Sequence, residues 1–237
     1  EASALVLLDD NFASIVLAIR SGRRIFDNLQ KAMSYIIAIH IPIIGLVLLP
    51  AFFAWLPIIL MPLHIVFLEL IIDPVCAIAF ESEQEEKGIM KRPPRRTNEL
   101  FFGWNKMFLS LVKGLILLSM VLVVYFVSIN EGHSDGETRA IAFSSLIIGN
   151  VFLILTSLSE TRNFLAVILE KNIAVLFISI LAILLLIMTV SIPFLNNLFS
   201  FEFPGYKHFL SAFIGAILML FALETIKYVM RPKNAVF

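Results

Sequence analysis

The chain has 237 residues, 59% hydrophobic and 15% charged. Its mean hydropathy is +0.94. Soluble domains of this length carry roughly 45–50% apolar and about 25% charged residues. A water-soluble globule, a disordered chain, a collagen and a disulfide scaffold are therefore excluded. Lys+Arg and Asp+Glu are both 18, so no basic excess calls for nucleic acid. The single cysteine, Cys76, cannot form an intrachain disulfide.

In chain order, the first segment mixes apolar and charged residues. Leu5 to Leu8 is a short apolar run suited to a buried strand. Asp9-Asp10-Asn11 is turn- and cap-like, and an amphipathic helix follows through Ser21-Gly22-Arg23-Arg24 to Lys31. Twenty-eight residues cannot enclose a core, so this reads as the tail of a preceding soluble domain. The chain begins with Glu rather than Met, as a fragment or processed chain would.

Ala32 to Leu68 then carries no acid and no Lys or Arg. A bilayer core of ~30 Å needs about 20 apolar residues of helix. The run is too long for one crossing and predicts a helical hairpin turning at Trp55-Leu56-Pro57. The expected spans are about 33–54, 57–80, 104–128, 139–159, 172–194 and 208–228. Fifteen Lys and Arg fall on one side of this arrangement. Only Arg139 and Lys207 fall on the other, and Lys113 lies within span three. The positive-inside rule then places both termini in the cytoplasm. The expected fold class is all-α: a six-helix transmembrane bundle with a short cytoplasmic N-terminal segment.

Acids inside spans are costly and point to function. Glu69 and Asp73 stand four residues apart in span two, on one helix face. Two ionised carboxylates there require a cation, a proton or a basic partner. Pro74 has no N–H, so the Leu70 carbonyl loses its helical partner. Freed carbonyls beside carboxylates suit a hard cation such as calcium or magnesium, or equally sodium or potassium. Pro42 offers a second helix break, near His40. His64 reads as interfacial, at the external end of span two. Glu160 reads as a boundary residue facing Arg162, Asn150 as an interhelical hydrogen-bonding group, and Glu224 and Lys227 as a structural i, i+3 pair. The acid run from Glu81 to Glu86 reads as solvated, able to attract cations. No phosphate-binding Gly loop, zinc spacing or nucleophile triad is present.

These residues resemble a known family, the P-type cation-transporting ATPases of the calcium-pump and sodium/potassium-pump class. Glu1 to Phe12 looks like the end of the phosphorylation domain, and Ile19 to Lys31 is similar to the stalk entering the fifth membrane helix. Asp73 matches the central ion-binding aspartate of the sixth. Ile89-Met90-Lys91-Arg92-Pro93-Pro94-Arg95 matches the loop that follows. Ser157-Leu158-Ser159-Glu160 matches the eighth-helix segment ending in an ion-binding glutamate, which raises Glu160 from a boundary residue to a ligand.

The resemblance implies that residues 1–31 end the phosphorylation domain and form the stalk. Residues 32–237 would be the C-terminal transmembrane domain, helices five to ten of the parent pump. Asp73, Glu69, Glu160 and His40 would bind the ion, with Pro74 and Pro42 as helix breaks. Calcium pumps typically carry Asn where this chain has His40 and Glu where it has Ile43. They carry Asn where it has Glu69 and Thr where it has Ile72. One ion, or cation–proton exchange, fits this set better than two calcium ions. The parent would use ATP and magnesium, while this stretch carries no Asp-Lys-Thr-Gly-Thr, no catalytic motif and no cofactor site of its own. The partners implied are the lipid bilayer, a metal cation or proton, and upstream domains of the same polypeptide. The implied location is a bacterial plasma membrane. The alternative is a stand-alone six-helix secondary transporter or channel.

Overall fold

A computed structural model describes residues 11–95, 100–169 and 172–230. The strand expected at Leu5 to Leu8 lies outside the described residues. Among the described residues the architecture is all-α, with six helices long and apolar enough to cross a membrane. The chain is a multi-pass integral membrane protein.

Helix α1 spans Phe12–Phe52, and its 41 residues rise roughly 61 Å at ~1.5 Å each. It begins where the cap-like sequence predicts: Asn11 Oδ1 accepts the Ala13 amide at 3.0 Å. The amphipathic segment and the apolar run after it are thus one continuous rod. Pro42, expected to break it, lies inside the helix together with Pro50. The loss at Pro42 is confined to one hydrogen bond, that of the Ala38 carbonyl four residues earlier. That carbonyl sits against Gly114 of the third crossing, where an added Cβ would lie 2.5 Å from it. Close approach of a glycine face accommodates the freed carbonyl, so the helix continues.

The hairpin turns at residues 54–56, close to the expected Trp55-Leu56-Pro57, with Trp55 exposed. Helix α2 (Pro62–Pro74) is followed at once by a π-helical turn over Val75–Ala79. Pro74 therefore marks a change of winding rather than an open gap. A 3-10 turn at Ile89–Lys91 precedes α3 (Trp104–Asn130). Helix α4 (Asp135–Ser157) begins earlier than expected because Ser134 and Glu137 form a capping box. Short α5 (Phe164–Leu169), then α6 (Ile173–Ser191), short α7 (Pro193–Leu198) and α8 (Tyr206–Val229) complete the chain.

Helix α4 is the centre of the bundle. In its most apolar window 83% of residues are buried, against 28–33% in the other five crossings. Its small side chains, Ala140, Ala142, Ser144, Ser145 and Gly149, let neighbours approach. Ser144 and Ser145 return their hydroxyls to the carbonyls of Ala140 and Ile141 at 2.6 and 2.8 Å. Asn150 accepts the Tyr35 hydroxyl at 2.9 Å, joining α4 to α1 as the sequence predicts. The outer helices turn Ile44, Leu48, Phe108, Val123, Phe177, Ile180 and Leu184 outward, a surface suited to acyl chains.

Candidate cation site and the joint beside it

Helix α2 packs through His64, Leu68, Ile71 and Ile72. Glu69 and Asp73 fall on its other side. Glu69 is half-buried and Asp73 exposed. His40 of α1 reaches toward Glu69, its Nε2 3.6 Å from Glu69 Oε1 and its Nδ1 2.8 Å from the Ile36 carbonyl. The structure thus brings His40 to Glu69, and Asp73 stands one turn further along the same face of α2. The change to π winding starts one residue past Pro74 and two past Asp73.

Glu160 lies apart from this locus. It sits beyond the end of α4, exposed, with Oε1 3.2 Å from Lys106 Nζ. The expected Glu160–Arg162 pairing is not formed. Arg162 instead binds Glu83, with Nη2 to Oε1 at 2.7 Å, both side chains almost fully enclosed. The reason is local: Ser159 Oγ accepts both the amide and Nε of Arg162, turning its guanidinium inward.

His64 is likewise not interfacial. It is wholly buried among Phe143, Phe199 and Phe201, with ring centroids 5.1–5.3 Å away. Its Nδ1 accepts the Met61 amide at 3.0 Å. Residues 199–201, in the loop before α8, fold back to close this cage. Separation in sequence hides that contact.

The acid run expected to be solvated is the largest departure. Glu83 and Glu86 are buried. Lys31 Nζ meets Glu86 Oε1 at 2.7 Å. The other Glu86 oxygen accepts Ser159 Oγ at 3.0 Å and the Thr161 hydroxyl, and the Glu160 amide donates to Oε1 at 3.1 Å. Burial pushes the Glu86 carboxyl up, but the Lys31 ammonium and these hydroxyls outweigh it and hold it at about 2. Glu83 takes Asn172 Nδ2 at 2.8 Å on its second oxygen, and its carbonyl accepts Asn28 Nδ2 at 2.8 Å. Arg20 pairs with Glu85, Arg92 with Asp27, and Arg23 donates to the carbonyls of Ile89 and Arg92. Together these bonds fasten the first half of α1 to residues 83–92 and to the ends of α4 and α6. Sequence patterning missed this joint because every partner is more than fifty residues away. The one available signal was Lys31, a lone charge at the membrane entry of a helix.

With the geometry in view, comparison with known proteins decides the family. The model described as "Cation transporting ATPase, C-terminus" matches residues 57–229. The chain belongs to that family of P-type cation ATPases. It is 35% identical over 172 residues to a calcium-transporting ATPase of Bacillus subtilis, covering 69% of this chain and 18% of that protein. It is 28% identical over 229 residues to calcium-transporting ATPase 1 of Lactococcus lactis, 96% of this chain and 26% of that protein. It is also similar to the sodium/potassium-transporting ATPase subunit alpha-B of Artemia franciscana, 40% identical over 136 residues, 55% of this chain and 13% of that one. The chain therefore spans about a quarter or less of the length of these relatives. As a member of this family, it supplies the C-terminal membrane part.

Proposed function

We propose that this chain is the cation-binding and translocating part of an ATP-driven pump, with Glu69, Asp73 and His40 at the ion site. The observation that carries the reading is the pair of carboxylates one turn apart on α2, beside a change of winding, with an α1 histidine within reach of Glu69. Glu160 joins this set in the reading through its match to the family's eighth-helix glutamate. Proteins tolerate charged groups and altered helix winding at this depth where they face a cavity or a path. The acids lie on the face of α2 that the other crossings leave open. In the whole pump, upstream membrane helices would close that face around the ion.

ATP hydrolysis, with magnesium, would occur in upstream domains. The N-terminal half of α1 would act as the stalk, both termini would be cytoplasmic, and the bilayer would be a bacterial plasma membrane. The ion would be calcium or another metal cation. Because α1 is one rod, a tilt imposed at its outer half moves His40 directly. Coupling requires that the two states differ in ion affinity. A factor of ~10⁴, about 5.5 kcal/mol, switches such a site almost completely. Changing the separation of His40 from the two carboxylates is a direct way to produce it.

The test is ion-dependent phosphorylation of the full-length pump. Asp73→Asn should abolish it while leaving phosphorylation from inorganic phosphate intact. Normal ion-stimulated phosphorylation in Asp73→Asn would refute the assignment.

A further inference from the structure

At the end of the bundle opposite the Lys31–Glu86 joint, the α3–α4 turn meets the first turn of α8. Glu131, His133 and His208 there direct three ligand atoms to within 4.8 Å of one another. Glu131 Oε2 lies 3.4 Å from His133 Nε2 and 3.6 Å from His208 Nδ1. The two imidazoles stand edge to face, 4.2 Å between centroids. Two ligands of a tetrahedral zinc ion, each at the usual bond length, are about 3.4 Å apart. The spacing matches before any ion is placed.

A second observation concerns His133. Its Nδ1 faces Glu137 Oε2 at 3.1 Å. A carboxylate only accepts, so Nδ1 donates in that contact and Nε2 is the nitrogen left to face Glu131. That Nε2 is buried and makes no hydrogen bond. It lies 3.4 Å from the Glu131 carboxylate, a spacing that a cation bound to both atoms would satisfy. A carboxylate behind a histidine is also the usual outer support of a metal-bound imidazole. Glu137 is itself held: its Oε2 accepts the Ser134 amide at 3.0 Å, and its own amide donates to Ser134 Oγ at 3.1 Å. Ser134 Oγ in turn donates to Glu202. Gly132, at φ +81°, gives the turn its shape, in a region favouring glycine.

We propose that Glu131, His133 and His208 form a binding site for a borderline transition-metal ion such as Zn²⁺, supported by Glu137. Two imidazole nitrogens and one carboxylate select against calcium and magnesium, which take oxygen ligands. Three protein ligands leave a position for water or an incoming group. The bound ion staples the α3–α4 turn to the start of α8. This site is separate from the α2 acids and does not depend on the pump reading.

The probe is Co²⁺, titrated into the full chain in detergent and followed by its visible absorption, with Zn²⁺ as competitor. One Co²⁺ per chain, with the intense bands of a low-coordinate ion and displacement by Zn²⁺ but not by Ca²⁺, is expected. His133→Ala and His208→Gln should each remove the bands. Glu137→Gln should weaken binding roughly 10–100-fold. Glu69→Gln and Asp73→Asn should leave the bands unchanged. The wild-type titration alone decides the matter if a histidine variant fails to fold. No low-coordinate spectrum in wild type means that the cluster holds a proton, and overturns the proposal. So does a spectrum that survives both histidine changes or vanishes with the α2 acids.

Discussion

Glu86 is the residue on which the joint beside the site turns. Its partners Lys31, Ser159 and Thr161 come from two distant segments. Removing one member of a buried ion pair strands the other charge and costs about 3–5 kcal/mol. Glu86→Gln should lower stability by that order in detergent unfolding, and Lys31→Met paired with Glu86→Leu should recover much of it. The pH dependence follows from the same contacts. The carboxyl sits at about 2 in the folded chain against an ordinary 4.5. A depressed acid stabilises the fold fully above its ordinary value and loses that contribution as pH falls from about 4.5 toward 2. Thermal unfolding of wild type and Glu86→Gln should therefore differ most at neutral pH and converge below pH 4. A constant gap down to pH 3 would remove Glu86 from this role. None of this is legible from the run Glu81 to Glu86 read by itself, because acid runs without a visible partner read as solvated. Glu69 and Asp73 are conspicuous in the sequence, since carboxylates in an apolar crossing stand out against their surroundings whatever they touch.

At the scale of elements, the contact between α1 and α3 rests on a glycine. A Cβ at Gly114 would lie 2.5 Å from the Ala38 carbonyl and 2.7 Å from Ile41 Cβ. The first obstacle is backbone and cannot swing aside, so the helices must separate. Gly114→Ala should destabilise the chain by about 1–3 kcal/mol, the range for overpacking, and lower its thermal midpoint in detergent. At Gly149 the nearest obstacles are the side-chain ends Leu117 Cδ1 and Met120 Cε. Gly149→Ala should cost less, and a larger loss there than at Gly114 would contradict this account of the contact. The number of crossings is readable from apolar length alone, and six helices long and apolar enough to cross a membrane are present among the described residues. Winding is not readable that way. Pro42 and Pro74 read alike in sequence, yet one sits inside a continuous α-helix and the other ends α geometry in favour of a π turn. Pro42 has a glycine face against the carbonyl it frees, and that neighbour lies more than seventy residues away.

At the scale of the whole molecule, six crossings put the N-terminal half of α1 and the end of α8 on one side and the α3–α4 turn on the other. Single cysteines introduced at Ser14 and at Ser134, in a Cys76→Ser background, should label from opposite faces of sealed vesicles. Labelling of both by one impermeant reagent would break the topology. The same arrangement places the Lys31–Glu86 joint at one end of the bundle, His40 and the α2 acids along α1 from it, and α1 as the rod between them. The central claim is that these acids hold the transported ion. Equilibrium binding of radioactive calcium, manganese, sodium and potassium to the full-length pump tests it most directly. The account predicts saturable binding of one of these ions, lost in Asp73→Asn and weakened in Glu69→Gln. Wild-type affinity and stoichiometry in Asp73→Asn would contradict it.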